Sequence, residues 1–395
     1  MDTKQYSGNH SFLKELNIIT TLRLIRSQRL ISRAEAAERL GLNRSTITAI
    51  VNELLEQKLV QEVGVGTSKG GRPPTLLQFN GDAAYTVCLD WKLKRVKLHL
   101  TNMSGDPIVS ETFEADDLSS GLYDPIEMAI AIADSIEKLL NQLPAKPLGL
   151  IGIGISVPGI NDGGFVSSYT LQWDKVPLQS FFAERFDCPV VLNNDSYAGL
   201  LAEHHAGAAA GESDVLYVRI GQGLSASMLL NGLPYQGSEG LAGRIGHTVV
   251  QVNGRRCACG SRGCWETYAS ERALLHRYAE LSGTTATIEQ FVHFAKQSEP
   301  HAITALHEMS EYLGVGIANV INLLNPAVVL IGSELDELHP LMQGTLERTM
   351  QQSALLFLRR HVRVQFAGLS GGDSIRRGTA AMVLDKVFTP PHVKS

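Results

Sequence analysis

A chain of 395 residues, 44% of them hydrophobic and with a formal net charge of −5, exceeds one ordinary core of ~150 residues and predicts two or three domains. The first residues lack the apolar core of a secretory leader, no apolar run reaches the roughly 18 residues of a membrane span, and five cysteines, three of them bunched, suit a reducing cytoplasm better than a disulfide framework. Charge is uneven: residues 1–80 carry eleven Lys or Arg against seven Asp or Glu, hence +4, leaving −9 for the remainder, the asymmetry of a nucleic-acid-binding head on an acidic, ligand-binding body.

Leu13, Leu16, Ile19, Leu22 and Ile25 recur every third residue, which predicts an amphipathic helix over residues 12–27. Ser32-Arg33-Ala34-Glu35 has the form of a capping box, and Leu40-Gly41 closes the helix it opens. Asn43 caps a third helix with Ile47, Ile50, Val51, Leu54 and Leu55 on its inner face. Two helices joined by a short glycine turn, the second opening on small polar and basic residues, predict a helix-turn-helix that binds double-stranded DNA through the major groove. Arg44 and Asn52 would hydrogen-bond base edges, while Ser45, Thr46 and Thr48 would reach phosphates or bases, with Arg33 joining from the preceding helix. Strand-like residues 60–63 and 75–79 flank a glycine-rich tip over 64–71 and predict a hairpin wing. Arg72, within Lys69-Gly70-Gly71-Arg72-Pro73, would enter a narrow minor groove.

From residue 83 onward strand-like and helical runs alternate. Strands are predicted over 85–89, 96–100, 148–157, 189–192, 215–220 and 328–331, with helices over 125–143, 196–206, near 270–280 and over 300–324. This is an α/β pattern in which helices cover the strands.

His247, Cys257, Cys259 and Cys264 lie in one glycine-punctuated segment. Three thiols and an imidazole fill a tetrahedral Zn²⁺ sphere completely, and a closed sphere holds structure rather than hydrolysing anything.

With these motifs in view, the body resembles the ROK family, which groups repressors with sugar kinases on a two-lobed, actin-like sugar kinase fold. The resemblance rests on the cysteine segment, Ser156-Val157-Pro158-Gly159, Asn194-Asp195, Gly243-Arg244-Ile245-Gly246-His247, and Asn325-Pro326 before a strand. With the head attached, the chain is similar to the NagC, Mlc and XylR type of regulator. The resemblance implies a winged helix-turn-helix over residues 1–82, a first lobe over 83–194 onto which 374–395 return, and a zinc-bearing second lobe over 195–373. It also implies a homodimer or homotetramer on a palindromic operator, repressing carbohydrate-metabolism genes under a sugar effector or a regulatory protein partner.

Family kinases carry an Asp-x-Gly-Gly-Thr phosphate loop, because backbone amides must approach the nucleotide closely. Here that stretch reads Asp90-Trp91-Lys92-Leu93-Lys94, and the later turns read Gly221-Gln222-Gly223-Leu224 and Ile331-Gly332-Ser333-Glu334. The erosion argues against an enzyme, the alternative being an ATP-dependent sugar kinase with an added DNA-binding head. Asp195 stands where the family has its catalytic base; it and Asn194 would hold sugar hydroxyls, or Asp195 would cap the helix that follows. Arg244 replaces the usual Glu of the sugar-ring set that includes His247 and Glu266. Either Arg244 grips an anionic effector bidentately, or the pocket is vestigial and Arg244 pairs with Glu266 or Asp195.

Overall fold

The computed structural model describes residues 10–66, 73–93, 95–114, 124–168 and 171–389. In the head, α1 (His10–Ser27) packs against α2 (Arg33–Leu40) and α3 (Arg44–Glu56). The Ser32 hydroxyl accepts from the Glu35 amide at 3.2 Å while the Glu35 carboxylate accepts from the Ser32 amide at 2.9 Å, and Gly41, at φ +63°, ends α2 in the left-handed region. Asn43 Oδ1 accepts from the Thr46 amide at 2.7 Å and starts α3. Strands β1 (Ile31–Ser32), β2 (Val60–Val65) and β3 (Thr75–Phe79) form an antiparallel sheet in the order β1-β3-β2, the wing of the head. The predicted stripe of α1 is buried only in its second half: Leu22 and Ile25 lie in the core, whereas Leu13 is half exposed.

The first lobe is built on β4 (Tyr85–Trp91), β5 (Arg95–Asn102), β6 (Pro107–Glu114), β7 (Leu150–Ser156) and, further along the chain, β11 (Val190–Asn193), in the order β11-β7-β4-β5-β6. Helix α4 (Pro125–Gln142) covers one face, and a small antiparallel sheet of β8 (Ile160–Asp162), β9 (Phe165–Ser168) and β10 (Trp173–Val176) leads into α5 (Leu178–Phe186). Helix α6 (Asp195–Ala206) then crosses to the second lobe.

There β12 (Val215–Ile220), β13 (Leu224–Leu230), β14 (Leu233–Pro234), β15 (Val328–Gly332) and β16 (Arg363–Phe366) lie in the order β14-β13-β12-β15-β16. Both sheets thus have two antiparallel pairings on one side of the first strand and two parallel pairings on the other, a duplicated plan. Helices α7 (Glu266–Ala269), α8 (Glu271–Ser282), α9 (Ile288–Lys296), α10 (Pro300–Leu324) and α11 (His339–Ser353) build the second core, and α12 (Gly371–Val387) packs on β4, β7, β11 and α6.

Alternation along β7 explains the layering. Ile153 and Ile155 enter the core shared with Met128 and Ile132 of α4, whereas Gly152 and Gly154 face α12, where added Cβ atoms would meet Val383 and Thr379 at 2.7 and 2.5 Å. Helix α12 reaches α6 as closely, since a Cβ on Gly378 would stand 1.7 Å from the Ala198 carbonyl oxygen. Gly378→Ala is therefore expected to cost about 3 kcal/mol through a backbone clash, read as a fall in thermal midpoint; an unchanged midpoint would show that the two helices slide apart freely.

Candidate ligand cleft, metal centre and nucleic-acid interface

On the head, Arg44, Ser45, Thr48 and Asn52 are exposed along one face of α3 and Thr46 is half-buried, because Ile47, Ile50, Val51 and Leu54 turn the opposite face inward. Ser45 Oγ donates to Asn43 Oδ1 at 2.8 Å and Thr48 Oγ1 to the Arg44 carbonyl at 2.7 Å. Arg44 has no side-chain hydrogen bond or ion pair among the described residues. Arg33 does: its guanidinium donates to Glu62 Oε1 at 2.7 Å and to Asn52 Oδ1 at 3.4 Å, tying α2 to β2 and α3. Arg72 and its neighbours in the wing tip lie outside the described residues.

In the second lobe His247 follows a short turn after β14, and the cysteines occupy a loop folded on itself by a Cys257 amide to Ser261 carbonyl bond of 2.9 Å and a Gly260 amide to Cys257 carbonyl bond of 3.0 Å. Gly263 takes φ +75°, and a Cβ there would lie 1.8 Å from the Gln251 carbonyl, so only glycine fits. The ligand atoms of His247, Cys257, Cys259 and Cys264 all lie within 4.8 Å of one another. Cys259 and Cys264 sulfurs are 3.7 Å apart, too far for a disulfide, and Cys257 Sγ is 3.7 Å from His247 Nδ1. Tetrahedral zinc, with Zn–S of about 2.3 Å and Zn–N of about 2.0 Å, requires S···S of ~3.8 Å and S···N of ~3.5 Å. The cluster fits that ion. Trp265, next to the last ligand, is fully buried and packs where a Cβ on Gly316 of α10 would meet its ring at 2.0 Å, which anchors the loop to the lobe.

The same loop walls a cleft of about 850 Å³ between the lobes. Asn194, Asp195, Arg244, His247 and Glu266 all line it, so the structure brings the whole predicted sugar-side set together. Two details differ from the sequence reading. The cap of α6 is Asn194, whose backbone is extended (φ −71°, ψ 151°) and whose Oδ1 accepts from the Ser196 amide at 3.0 Å, while Asp195 is already helical and is the first residue of α6. Nor does Arg244 pair with Glu266 or Asp195. Asp195 instead faces Arg219 at 3.6 Å, and Glu266 lies 3.8 Å from Arg272, 3.8 Å from His247 Nδ1 and 3.1 Å from Cys257 Sγ. Arg244 Nε is buried without an acceptor, and burial lowers the Arg244 pKa, with Asp195 acting weakly the other way. A half-desolvated guanidinium with open donors is a site that an anionic oxygen would satisfy.

The opposite half of the cleft is lined by Lys92, Arg95, Arg219 and Glu334, with Trp91 in the first-lobe core rather than on the cleft wall. Trp91 is fully buried, edge-on to Trp173 with ring centroids 5.4 Å apart. Lys92 pairs with Asp90 at 3.6 Å and with Glu334, and Glu334 also pairs with Arg95 at 3.4 Å and Arg219 at 3.3 Å. Burial lowers the Lys92 pKa. Arg219, only 3% exposed, was missed as a site residue; its signal is a lone guanidinium in the otherwise apolar strand Val215–Ile220, a placement that demands paired carboxylates.

A winged helix-turn-helix head mounted on a two-lobed, sugar-kinase-like body, with a His/Cys₃ loop beside the cleft, is the class of protein these features define. The chain belongs to the ROK family, whose family model matches residues 125–386. It is 33% identical over 341 residues to the xylose repressor of Bacillus subtilis (strain 168), covering 86% of this chain and 87% of that protein. A crystal structure of a ROK family transcriptional regulator, a homologue of the E. coli MLC protein, superposes with a TM-score of 0.77 at 24% identity, covering 95% of this chain and 99% of that one. A ROK family glucokinase from Streptomyces griseus, in complex with glucose and AMPPNP, shares the body fold with a TM-score of 0.64 at 23% identity over 75% of this chain and 98% of that one.

Proposed function

We propose that the chain is a DNA-binding transcriptional regulator, a repressor of carbohydrate-metabolism genes, whose hold on a palindromic operator is set by a sugar or sugar derivative in the interlobe cleft. The observation that carries this reading is the uncovered polar face of α3, with Arg44, Ser45, Thr48 and Asn52 outward on a capped helix beside a wing. Arg44 and Asn52 read base edges, Ser45, Thr46 and Thr48 hold backbone or bases, and Arg72 serves the minor groove. Arg33 supports them by fixing the wing through Glu62. The name of the Bacillus repressor and the regulator fold support the same assignment. A symmetric homodimer, or a homotetramer built from two, places two such helices on half-sites about 34 Å apart.

Phosphoryl transfer needs a cradle for the nucleotide; here that wall of the cleft carries Lys92, Leu93 and Glu334, with Lys92 paired to Glu334. We therefore assign the body no catalytic step. Its ligand contacts are Asn194, Asp195, Arg244, His247 and Glu266, with Zn²⁺ held by His247, Cys257, Cys259 and Cys264 to set the shape of the wall. No helix among the described residues is long and apolar enough to cross a membrane, which suits a regulator that meets DNA in the cytoplasm.

Selection from a random duplex library tests the reading: recovery of a palindrome supports it, and recovery of unrelated sequences at equal affinity contradicts it. A parallel assay for ADP release over a hexose panel separates the kinase alternative, for which turnover would be decisive. Arg244 gives the effector its chemistry. We expect sugar acids or sugar phosphates to raise the melting temperature, and Arg244→Glu to weaken their binding by about 2 kcal/mol, some 30-fold; equal stabilisation of wild type and variant would show that Arg244 does not grip the ligand.

A further inference from the structure

Helix α6 begins at the cleft, with Asn194 as its cap and Asp195 as its first residue, and its last turn carries His204 and His205. Twelve residues at 1.5 Å each make a rod of about 18 Å. At the far end Arg26 of α1, in the head, donates through Nη2 to His205 Nδ1 at 3.1 Å and through Nη1 to Asp385 Oδ1 of α12 at 3.1 Å. Arg23 adds a weaker bond to Thr389 Oγ1 at 3.4 Å. The apolar core of the head runs into the same corner, since Leu384 of α12 is buried with Leu22 and Ile25, and Phe388 packs against them.

The second lobe grips α6 at two places. Tyr217 of β12 lies against Gly199, where a Cβ would be 2.4 Å from its ring, and Arg219, two residues on, faces Asp195 at 3.6 Å. Adjacent to that grip, Ala198 touches Gly378 of α12. Any change in the angle between the lobes therefore displaces α6 against α12, and both helices end on Arg26.

We propose that α6 is the lever that carries the state of the cleft to the DNA-binding head, and that Arg26, clasped between His205 and Asp385, is the joint where the head takes up that motion. Arg26 is a positioning residue and touches neither ligand nor DNA. The inference rests on the regulator reading above and adds the route of control.

A double-mutant cycle tests it without requiring the effector. Glu334→Lys places a cation against Lys92, Arg95 and Arg219 and drives the lobes apart; Lys92→Glu does the same by meeting Glu334. The probe is the duplex that the wild-type protein selects from the random library. With Arg26 intact, either cleft variant is expected to change operator affinity by about fivefold or more, and in an Arg26→Gln background by less than about twofold, while Arg26→Gln alone stays within about twofold of wild type. Asp385→Asn repeats the joint arm with a milder change. Equal shifts in both backgrounds, or no shift in either, overturn the proposal. Hydrogen exchange of the α1 amides gives the same comparison without DNA: a cleft variant should alter their protection only when Arg26 is present. A chain that selects no duplex would sink the regulator reading, and the exchange result would still decide the joint.

Discussion

Replacing Cys264 by alanine is expected to abolish zinc binding and lower the thermal midpoint by about 5 °C, corresponding to a loss of about 3 kcal/mol in a body of this size. The loop around the cysteines has little apolar core of its own: Val249 and Val252 are 52% and 78% exposed, and its backbone is joined mainly by turn bonds and two isolated bridges. A metal ion bound by the cluster would do the work of a core. Cys264 has no exposed surface and leads directly into the buried Trp265, so the damage reaches α10 and the cleft wall. Operator binding should fall as an indirect result. Cys88→Ala is the control, because that thiol lies in the first lobe, where burial pushes its pKa up to about 12; zinc content should stay at about one ion per chain. Elemental analysis with calorimetry measures both, and a zinc-free Cys264→Ala protein of unchanged stability and full DNA binding would refute a structural metal.

On the head, Arg44→Ala and Asn52→Ala are each expected to weaken operator binding by about 1–3 kcal/mol, roughly 5- to 150-fold, and to relax preference at one base position. Both side chains are exposed, so Arg44→Ala should leave folding stability within about 0.5 kcal/mol, whereas Asn52→Ala also gives up the 3.4 Å bond from Arg33. Loss of affinity without loss of stability distinguishes contact from support. Arg33→Ala provides the contrast, because removing its bonds to Glu62 and Asn52 loosens the wing and lowers stability together with affinity. Titration by fluorescence anisotropy at two salt concentrations reads the effect, since Arg44 on a phosphate changes the salt slope and Arg44 on a base changes specificity. Unaltered binding by both single variants would leave α3 without the role assigned to it.

The parts legible in the sequence are those where local chemistry decides. The Ser32–Glu35 box, the Gly41 stop and the Asn43 cap each satisfy backbone groups within a few residues, and they stand where the pattern puts them. The cluster of His247, Cys257, Cys259 and Cys264 is legible for a related reason, as short spacing between soft donors leaves few other uses. Strand β6 was missed because it opens on Pro107 and exposes every second side chain at a sheet edge, and α11 because its apolar residues are sparse among Gln, Thr and Arg. Helix α1 was read as one continuous stripe, yet burial at Leu13 depends on a neighbour that periodicity cannot supply. Arg219 and the Glu334 pairs escaped notice since their meaning comes from residues more than a hundred positions apart.

The most direct test of the account is titration of the selected palindromic duplex in the presence of neutral sugars, sugar acids and sugar phosphates. The account predicts tight binding, with Kd of about 10⁻⁸ M and a preference of at least about 10³ over a scrambled duplex, weakened or strengthened severalfold by one class of sugar and unaffected by the others. Binding with no sequence preference, or a preference that no sugar in the panel changes, would contradict it.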